Sequence, residues 1–558
     1  MIGMLAIAGM ALTWRAVDQQ IFETDFLQDE GERRHLRVVE VPAHRGMITD
    51  REGEPLAIST PVDSVWANPR ILLPNREDLE PLARALGFKS DALRHMLAKR
   101  SSRSFVYLKR RITPETAAAV NALLKEKKIK GVGLERGYRR YYPGGEVFAH
   151  VVGFTDINDV GQEGAELAYE TWLRSTAGKK LVIRDGHARV VRDVESIHAP
   201  VEGRNLTLSI DRRLQYLAYR ELKSAVKRHQ AKSGSAVILD VRSGEVLAMV
   251  NQPAYNPNGS KGGLPDRFRN RAVTDVFEPG STMKPFTVAA AFESGRYHPD
   301  SMIDTAPGYL QVGRNRVRDH HNLGVIDIPT IIRKSSNVGA SKIALDLSGE
   351  QLWALYSKVG FGEVTGVGFP GEAGGQLTPY QNWARIDQAT LAFGYGMSVT
   401  TLQLASAYAV FASGGIKRPV SLVRVERPAK GLSVISDKTA RAVVAMMESV
   451  VSRDGTAQQA AVAGYRVAGK TGTVKKSVSG GYSEDHYLSV FAGLAPVSDP
   501  RLVMVVMIDD PRGEKYYGGQ VAGPVFAKVM SGALRLLNIA PDNMEKDGIR
   551  LAAARGQE

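Results

Sequence analysis

The stretch Glu278-Pro279-Gly280-Ser281-Thr282-Met283-Lys284-Pro285, followed by the apolar run Phe286 to Phe292, sets a hydroxyl and an amine three residues apart. Pro and Gly just before an apolar run mark a helix start, where the first four backbone N–H groups lack intrahelical partners. Residues three apart lie about one turn from each other, so Ser281 and Lys284 share a face. A serine hydroxyl is a poor nucleophile until a neighbour takes its proton. No Ser-His-Asp grouping is evident around Ser281, which leaves Lys284 as the candidate base. A lysine starts near pKa ~10.4, so acting as a base near neutrality requires a drop of about 3 units, roughly 4 kcal/mol against the charged form. The chain has no cysteine, which excludes thiol nucleophiles and Cys-ligated metals.

Ser-x-x-Lys alone is a weak signal, since a chain this long should hold about two by chance. Ser224-Ala225-Val226-Lys227 fits the pattern, but it lies mid-helix among Lys223, Arg228 and His229, where a lysine is solvated and stays protonated. Two further elements follow the 281–284 pair in order. Lys334-Ser335-Ser336-Asn337 stands at the mouth of another helix, and Lys470-Thr471-Gly472-Thr473 lies on a strand-like segment. Lys232-Ser233-Gly234 imitates the last of these but precedes the serine. Three elements in this order, each at a boundary, turn a spacing into a candidate site. Burial and the charge of Lys470 would depress Lys284. Ser335 is placed to relay a proton to a leaving amine, and Asn337 to hold a substrate amide. Lys470 offers a cation to a carboxylate, Thr471 and Thr473 flank Gly472 with hydroxyls, and the strand offers backbone hydrogen bonds to an extended peptide. The N–H groups of Ser281 and Thr473 are the natural oxyanion hole.

These elements need a scaffold, and 558 residues are enough for two or more folded units. Met1 to Trp14 is an uncharged apolar run, which as a helix reaches about 21 Å of the roughly 30 Å hydrocarbon core. It reads as part of a longer membrane segment, with a cleaved signal peptide as the competing reading; both put the bulk of the chain outside the cytoplasm. Residues 19 to 205 are rich in turns and strand-like patches. Helical spacing marks 82–99, interrupted at Gly87, and 114–127. From about residue 206 the texture changes: a strand at 206–210, a long amphipathic helix from Asp211 to about Lys232, a buried hairpin over 236–250, late strands at 488–494 and 502–508, and a closing helix at 521–537. Sheet covered by helices is an α+β plan. The last dozen residues read as a disordered tail. The net charge of +14 would suit a polyanion, but basic residues come as scattered pairs, which argues for a solvated surface and against nucleic-acid binding. Asp319-His320-His321 has no further ligand cluster, and adjacent histidines in a strand would point to opposite faces, so no metal site is expected.

From Arg45 to about Asp542 the chain resembles the class B penicillin-binding proteins, and most closely the division-specific septal transpeptidases, the FtsI type. Beside the three elements already described, Arg45-Gly46 through Ala57 resembles the opening motif of the family's pedestal, and Gly161-Gln162-Glu163-Gly164-Ala165-Glu166 its later one. The Lys334 to Val338 run and Lys515-Tyr516-Tyr517-Gly518-Gly519 resemble the division branch; the elongation branch typically carries Ser-x-Asp at the second element. The resemblance implies a membrane segment at 1–18, a pedestal or dimerisation-like domain at 19–205, a transpeptidase domain at 206–542 with an antiparallel sheet covered by helices plus a helical subdomain, and a tail at 543–558. It implies a D,D-transpeptidase acting on D-Ala-D-Ala stem peptides of peptidoglycan, acylated by β-lactams and needing no cofactor. It places Tyr516 and Tyr517 beside the substrate groove; by themselves they could equally be aromatic core. It also implies a single-pass protein of the bacterial inner membrane, its catalytic domain in the periplasm, partnered with a polytopic glycosyltransferase and other divisome membrane proteins.

Three other readings share these motifs. A serine β-lactamase would leave the large N-terminal module unexplained, and no Glu-x-x-Asn element for deacylation lies between Asn337 and Lys470. A D,D-carboxypeptidase differs only in letting water resolve the acyl-enzyme. A non-catalytic division scaffold or β-lactam sensor would keep the serine without turnover. The N-terminal module shows nothing resembling an acidic glycosyltransferase site and reads as a spacer and docking surface.

Overall fold

The computed structural model describes residues 2–18, 36–184, 190–259, 265–478 and 481–543. Most of the expected tail at 543–558, and the 19–35 part of the expected pedestal, lie outside these residues. The chain forms two compact units. One comprises Met1–Met47, Ile58–Tyr141 and Thr171–Asn205, the other Ile48–Ala57, Tyr142–Glu170 and Leu206–Glu558. Two stretches that precede residue 206 therefore pack with the unit that carries the three motif elements.

In that unit the helices that matter are α1 (Arg212–Arg228), α2 (Lys284–Glu293), α3 (Asn337–Asp346), α4 (Thr401–Ala412), α5 (Asp437–Val450) and α6 (Gly523–Leu536). Its main sheet is built from β1 (Ser233–Asp240), β2 (Val246–Gln252), β3 (Ala468–Val478), β4 (Gly481–Ala495) and β5 (Leu502–Asp509). The strands lie in the order β2-β1-β5-β4-β3, all antiparallel, which leaves β3 on an edge. β1, β2 and β5 are buried at nearly every position, as continuous apolar runs are when both faces are covered. α1 and α6 pack together against the sheet, and α4 packs on β1, β4 and β5.

The expected elements are present, with boundaries set by capping. Asp211 caps α1 by accepting from Arg213 N–H, and α1 stops at Arg228 rather than Lys232. The strand expected over 206–210 is shorter: only Leu206–Thr207 forms one, beside Ile48–Thr49. The helix expected over 521–537 is broken at Ala522, because Pro524 lacks an N–H and opens α6 as a new helix. Ser224 and Lys227 lie exposed on α1, as a solvated helix face requires.

α2 is apolar all round and buried from Lys284 to Ala291, as expected of a helix in the middle of a core. Its Phe286 packs against Phe361, Tyr408 and Phe411, with ring centroids 5.2, 5.5 and 4.8 Å away. α3 and α5 flank α2.

In the other unit, residues 58–67 of the strand Pro55–Ala67 pair with Val106–Ile112 and Val132–Tyr141. The helices Arg76–Leu86, Ser90–Ala98 and Pro114–Lys127 bury Leu79, Leu82, Leu86, Leu93, Leu97 and Val120 in one core. Gly87, at φ 74°, ends the first of these helices as expected. A separate three-stranded sheet joins Leu36–Val41, Gly178–Arg184 and Val190–His198. The N-terminal apolar run is helical over Ile2–Val17, and among the described residues no helix is long and apolar enough to cross a membrane.

Tyr408 of α4 is fully buried and donates its hydroxyl to the Thr282 carbonyl at 2.8 Å, tying the turn around Ser281 to the core. Tyr408→Phe keeps the ring and loses this bond, so it should lower stability by about 1 kcal/mol. An unchanged denaturant midpoint would show the tie to be energetically idle.

Candidate active site

Ser281 lies in a single 3₁₀ turn, Gly280–Met283, that runs directly into α2. The turn depends on close backbone approach. Gly280 has φ +58°, and its N–H donates to the Gly394 carbonyl at 3.1 Å. Gly394 has φ +83°, and a Cβ there would stand 2.2 Å from the Gly280 carbonyl oxygen. On the other side, Gly472 lets β3 approach, since a Cβ there would meet the Pro279 carbonyl oxygen at 3.0 Å. Ser281 is thus held between two backbones.

Lys284 is fully buried beneath it. Its Nζ is 2.9 Å from Ser281 Oγ, 2.6 Å from the Ser335 carbonyl oxygen, 3.0 Å from Ser335 Oγ and 2.7 Å from Asn337 Oδ1. The Asn337 amide is oriented by its own nitrogen, which donates to the Arg318 carbonyl at 3.1 Å. Two of the Lys284 contacts, the carbonyl of Ser335 and Asn337 Oδ1, can only accept. They can take both N–H bonds of a neutral amine and leave its lone pair for the Ser281 hydroxyl. Burial first, and then the positive charge of Lys470, push Lys284 well below the ordinary lysine range, while Asp319 acts in the opposite direction. The shift of Lys284 therefore runs in the direction that its role as a base requires, by the causes expected.

Lys470 on β3 is also fully buried, and burial lowers it to about 7. Its Nζ donates to Ser335 Oγ at 3.0 Å and to the Thr471 carbonyl at 3.2 Å. Ser335 Oγ thus bridges the two amines. It does so from a left-handed backbone, φ 61° and ψ 42°, at the junction of the Ile328–Lys334 helix and the Ser336 cap of α3. A serine in this conformation costs about 1 kcal/mol, so the hydroxyl is retained against local preference.

Ser281, Ser335 and Asn337 open on a cleft of about 580 Å³ that is also lined by Thr471, Thr473, Tyr516 and Tyr517. Thr473 Oγ1 accepts from Gly518 N–H at 3.0 Å, and Thr471 Oγ1 lies 3.0 Å from Thr456 Oγ1. Tyr516 stacks on Tyr517 at 4.5 Å and on Tyr487 at 4.3 Å, so the tyrosines form a wall of the cleft rather than core. Every site residue expected from sequence is gathered in one unit. The Asn337 side chain joins Lys284 Nζ through its oxygen and the Arg318 carbonyl through its nitrogen.

Asp319, His320, Tyr487 and Thr456 also line the cleft and were not read as site residues from sequence. His320 and His321 sit in a loop after the Asn315–Arg318 strand, not in the strand itself, so the opposite-faces argument does not apply to them. The strand register, which sets Tyr487 opposite Lys475, is the signal that would have found the third tyrosine.

The fold and site together define a serine–lysine acyl-transfer enzyme. The family model for the penicillin-binding protein transpeptidase domain matches residues 234–531, and that for the penicillin-binding protein dimerisation domain matches residues 40–208. The peptidoglycan D,D-transpeptidase FtsI of Escherichia coli is 42% identical over 97% of this chain and 92% of its own. Penicillin-binding protein 3 of Mycobacterium tuberculosis, solved in complex with aztreonam, superposes with a TM-score of 0.71 at 29% identity over 90% of this chain and 98% of that one. The transpeptidase domain of penicillin-binding protein 3 from Burkholderia pseudomallei is 44% identical, covering 60% of this chain and 97% of that one, with a TM-score of 0.56. This chain belongs to the penicillin-binding proteins, with both the dimerisation and the transpeptidase regions of that family.

Gly394→Ala would drive a methyl group into the Gly280 backbone and displace Ser281. A misplacement approaching 1 Å costs about 100-fold in rate. The second-order rate of labelling by a fluorescent penicillin should fall by that order while the protein stays folded; labelling at the wild-type rate would show that the turn does not depend on this approach.

Proposed function

We propose that this protein is a peptidoglycan D,D-transpeptidase of septal wall synthesis, in which Ser281 is the nucleophile and Lys284 its base. The observation that carries the reading is the buried, neutral-fitting amine 2.9 Å from the Ser281 hydroxyl. In the first half-reaction Lys284 Nζ takes the hydroxyl proton and Ser281 Oγ bonds to the carbonyl carbon of the penultimate D-Ala. The oxyanion rests on the N–H groups of Ser281 and Thr473. Its collapse breaks the peptide bond, and the departing D-Ala amine receives a proton through Ser335 Oγ, which lies 3.0 Å from both lysine amines. In the second half-reaction an acceptor amine attacks acyl-Ser281, gives its proton back through the same relay and frees the serine. Lys470, with Thr471 and Thr473, holds the terminal carboxylate, while β3, an edge strand, adds the stem peptide as a further strand. Tyr516 and Tyr517 pack on the ligand from the far wall. A β-lactam enters by the same first step and stays on Ser281.

The 19–205 region serves as pedestal and 206–542 as catalytic domain, with 48–57 and 142–170 bracing the latter. An N-terminal segment holds the protein in the bacterial inner membrane with its active site in the periplasm, beside a polytopic glycosyltransferase and other division proteins. The resemblance of the whole chain to FtsI supports this placement.

Ser281→Ala should abolish covalent labelling by fluorescent penicillin, and the wild-type protein with lipid-linked substrate should form dimeric stem peptides. Equal labelling of the variant would sink the nucleophile assignment; only trimmed monomeric peptides would favour a carboxypeptidase.

The pH dependence follows from the two lysines. Lys284 must be neutral to accept the proton, so the acylation rate rises as its ammonium is titrated. Lys470 must be charged to hold a carboxylate, and in the free enzyme it loses its proton near pH 7. The second-order acylation constant should therefore be bell-shaped, with its alkaline limb beginning about there; a rate still climbing with pH above 9 would remove Lys470 as the carboxylate's cation.

A further inference from the structure

Asp319 follows the Asn315–Arg318 strand and belongs to none of the three motif elements. Its carboxylate is nevertheless bonded throughout. Oδ1 accepts from Asn337 N–H at 2.5 Å and Val338 N–H at 3.0 Å, and Oδ2 accepts from the Ser336 hydroxyl at 2.5 Å. Ser336 Oγ in turn accepts from Gly339 N–H at 2.9 Å, as an N-cap serine does. The start of α3 is therefore capped twice, once by its own serine and once by a carboxylate brought in from another loop. Charge-assisted bonds of this kind are roughly twice as strong as neutral ones.

The second cap is aimed at a turn under strain. Ser335, immediately before the capped residues, is held at φ 61° although it carries a side chain. From that conformation Ser335 supplies its carbonyl oxygen and its Oγ to Lys284, and Asn337 supplies Oδ1. These are three of the four contacts of the Lys284 amine; the fourth is the nucleophile. All three come from the residues on either side of Ser336, which Asp319 grips.

We propose that Asp319 is a positioning residue for acyl transfer, its carboxylate locking the Ser335–Asn337 turn in the conformation that presents three oxygen atoms to the Lys284 amine. The assignment rests on the reading of Ser281 and Lys284 as nucleophile and base. The carboxylate has a second effect through space. The charged groups that act on Lys284 are Lys470 from β3 and Asp319 from this loop, and they oppose one another: Lys470 disfavours the ammonium and Asp319 favours it. Asp319 therefore keeps the base from being depressed further than its neighbours would drive it.

Two substitutions in the full-length protein separate the clamp from the charge. Asp319→Ala removes both, and should slow acylation by fluorescent penicillin by about 100-fold, the order expected for a misplaced base. Asp319→Asn keeps an oxygen for the two N–H groups and loses the charge. It should cost only a few-fold in rate at the optimum, and should move the acid limb of the pH–rate profile to lower pH by about half a unit or more, because the Lys284 ammonium loses its supporting carboxylate. A role confined to folding would lower the labelled fraction without moving that limb. Variants within about twofold of wild type with superimposable profiles, or a rate loss matched by unfolded protein with the limb unmoved, overturn the proposal. Ser281→Ala run alongside separates the failures: label on that variant would refute the nucleophile, whereas its absence together with unaffected Asp319 variants would refute the role of Asp319 alone.

Discussion

The site depends on keeping a lysine amine fully buried beside a hydroxyl, with its pKa pushed well below the ordinary lysine range. Transferring an ammonium into the interior without compensation costs several kcal/mol, and a protein meets that cost by releasing the proton. Lys284 has been given the surroundings of a neutral amine: two carbonyl-type oxygens for its two N–H bonds and a serine hydroxyl at its lone pair. A second buried amine, Lys470, adds repulsion to desolvation. The price is a core that holds two lysines where leucines would be more stable, the sort of local cost that functional sites carry.

That requirement explains what surrounds the site. α2 is buried from Lys284 to Ala291, and the aromatic packing of Phe286 with Phe361, Tyr408 and Phe411 fixes the helix that carries the lysine. Glycines at 280, 394 and 472 let the backbones close around Ser281. β3 stays on the sheet edge, so the strand that carries Lys470 has no further strand beside it on its outer side among the described residues. Rigid elements thus supply the geometry, and a strained turn, at Ser335, is where two helices meet and a hydroxyl is placed between two amines.

Much of this was legible in the residues. Ser281, Lys284, Ser335, Asn337 and Lys470 stand out as candidates because each sits where a helix or strand begins, and beginnings leave local signs in Pro, Gly and apolar periodicity. The decoy at Ser224 was rejected on the same ground, its neighbours marking a solvated helix face. Asp319 was passed over as loop polarity because its partners are 17 to 19 positions away, and no local pattern announces a cap supplied from another loop. Tyr487 was missed because it meets Tyr516 only by stacking across space, from a different part of the chain. The 48–57 and 142–170 stretches pack with the second unit through contacts of long sequence separation, which the change of texture near residue 206 does not report.

The sequence by itself determined which chemical groups are present, in what order, and on which kinds of element, since these follow from residue type and short-range spacing. The tertiary structure alone decided the burial that lowers the pKa of Lys284, the left-handed turn at Ser335 and the grip of Asp319 upon it. Each of these depends on what is buried beside what. Desolvation and hydrogen bonding act over a few ångströms in space, between residues that the chain keeps far apart.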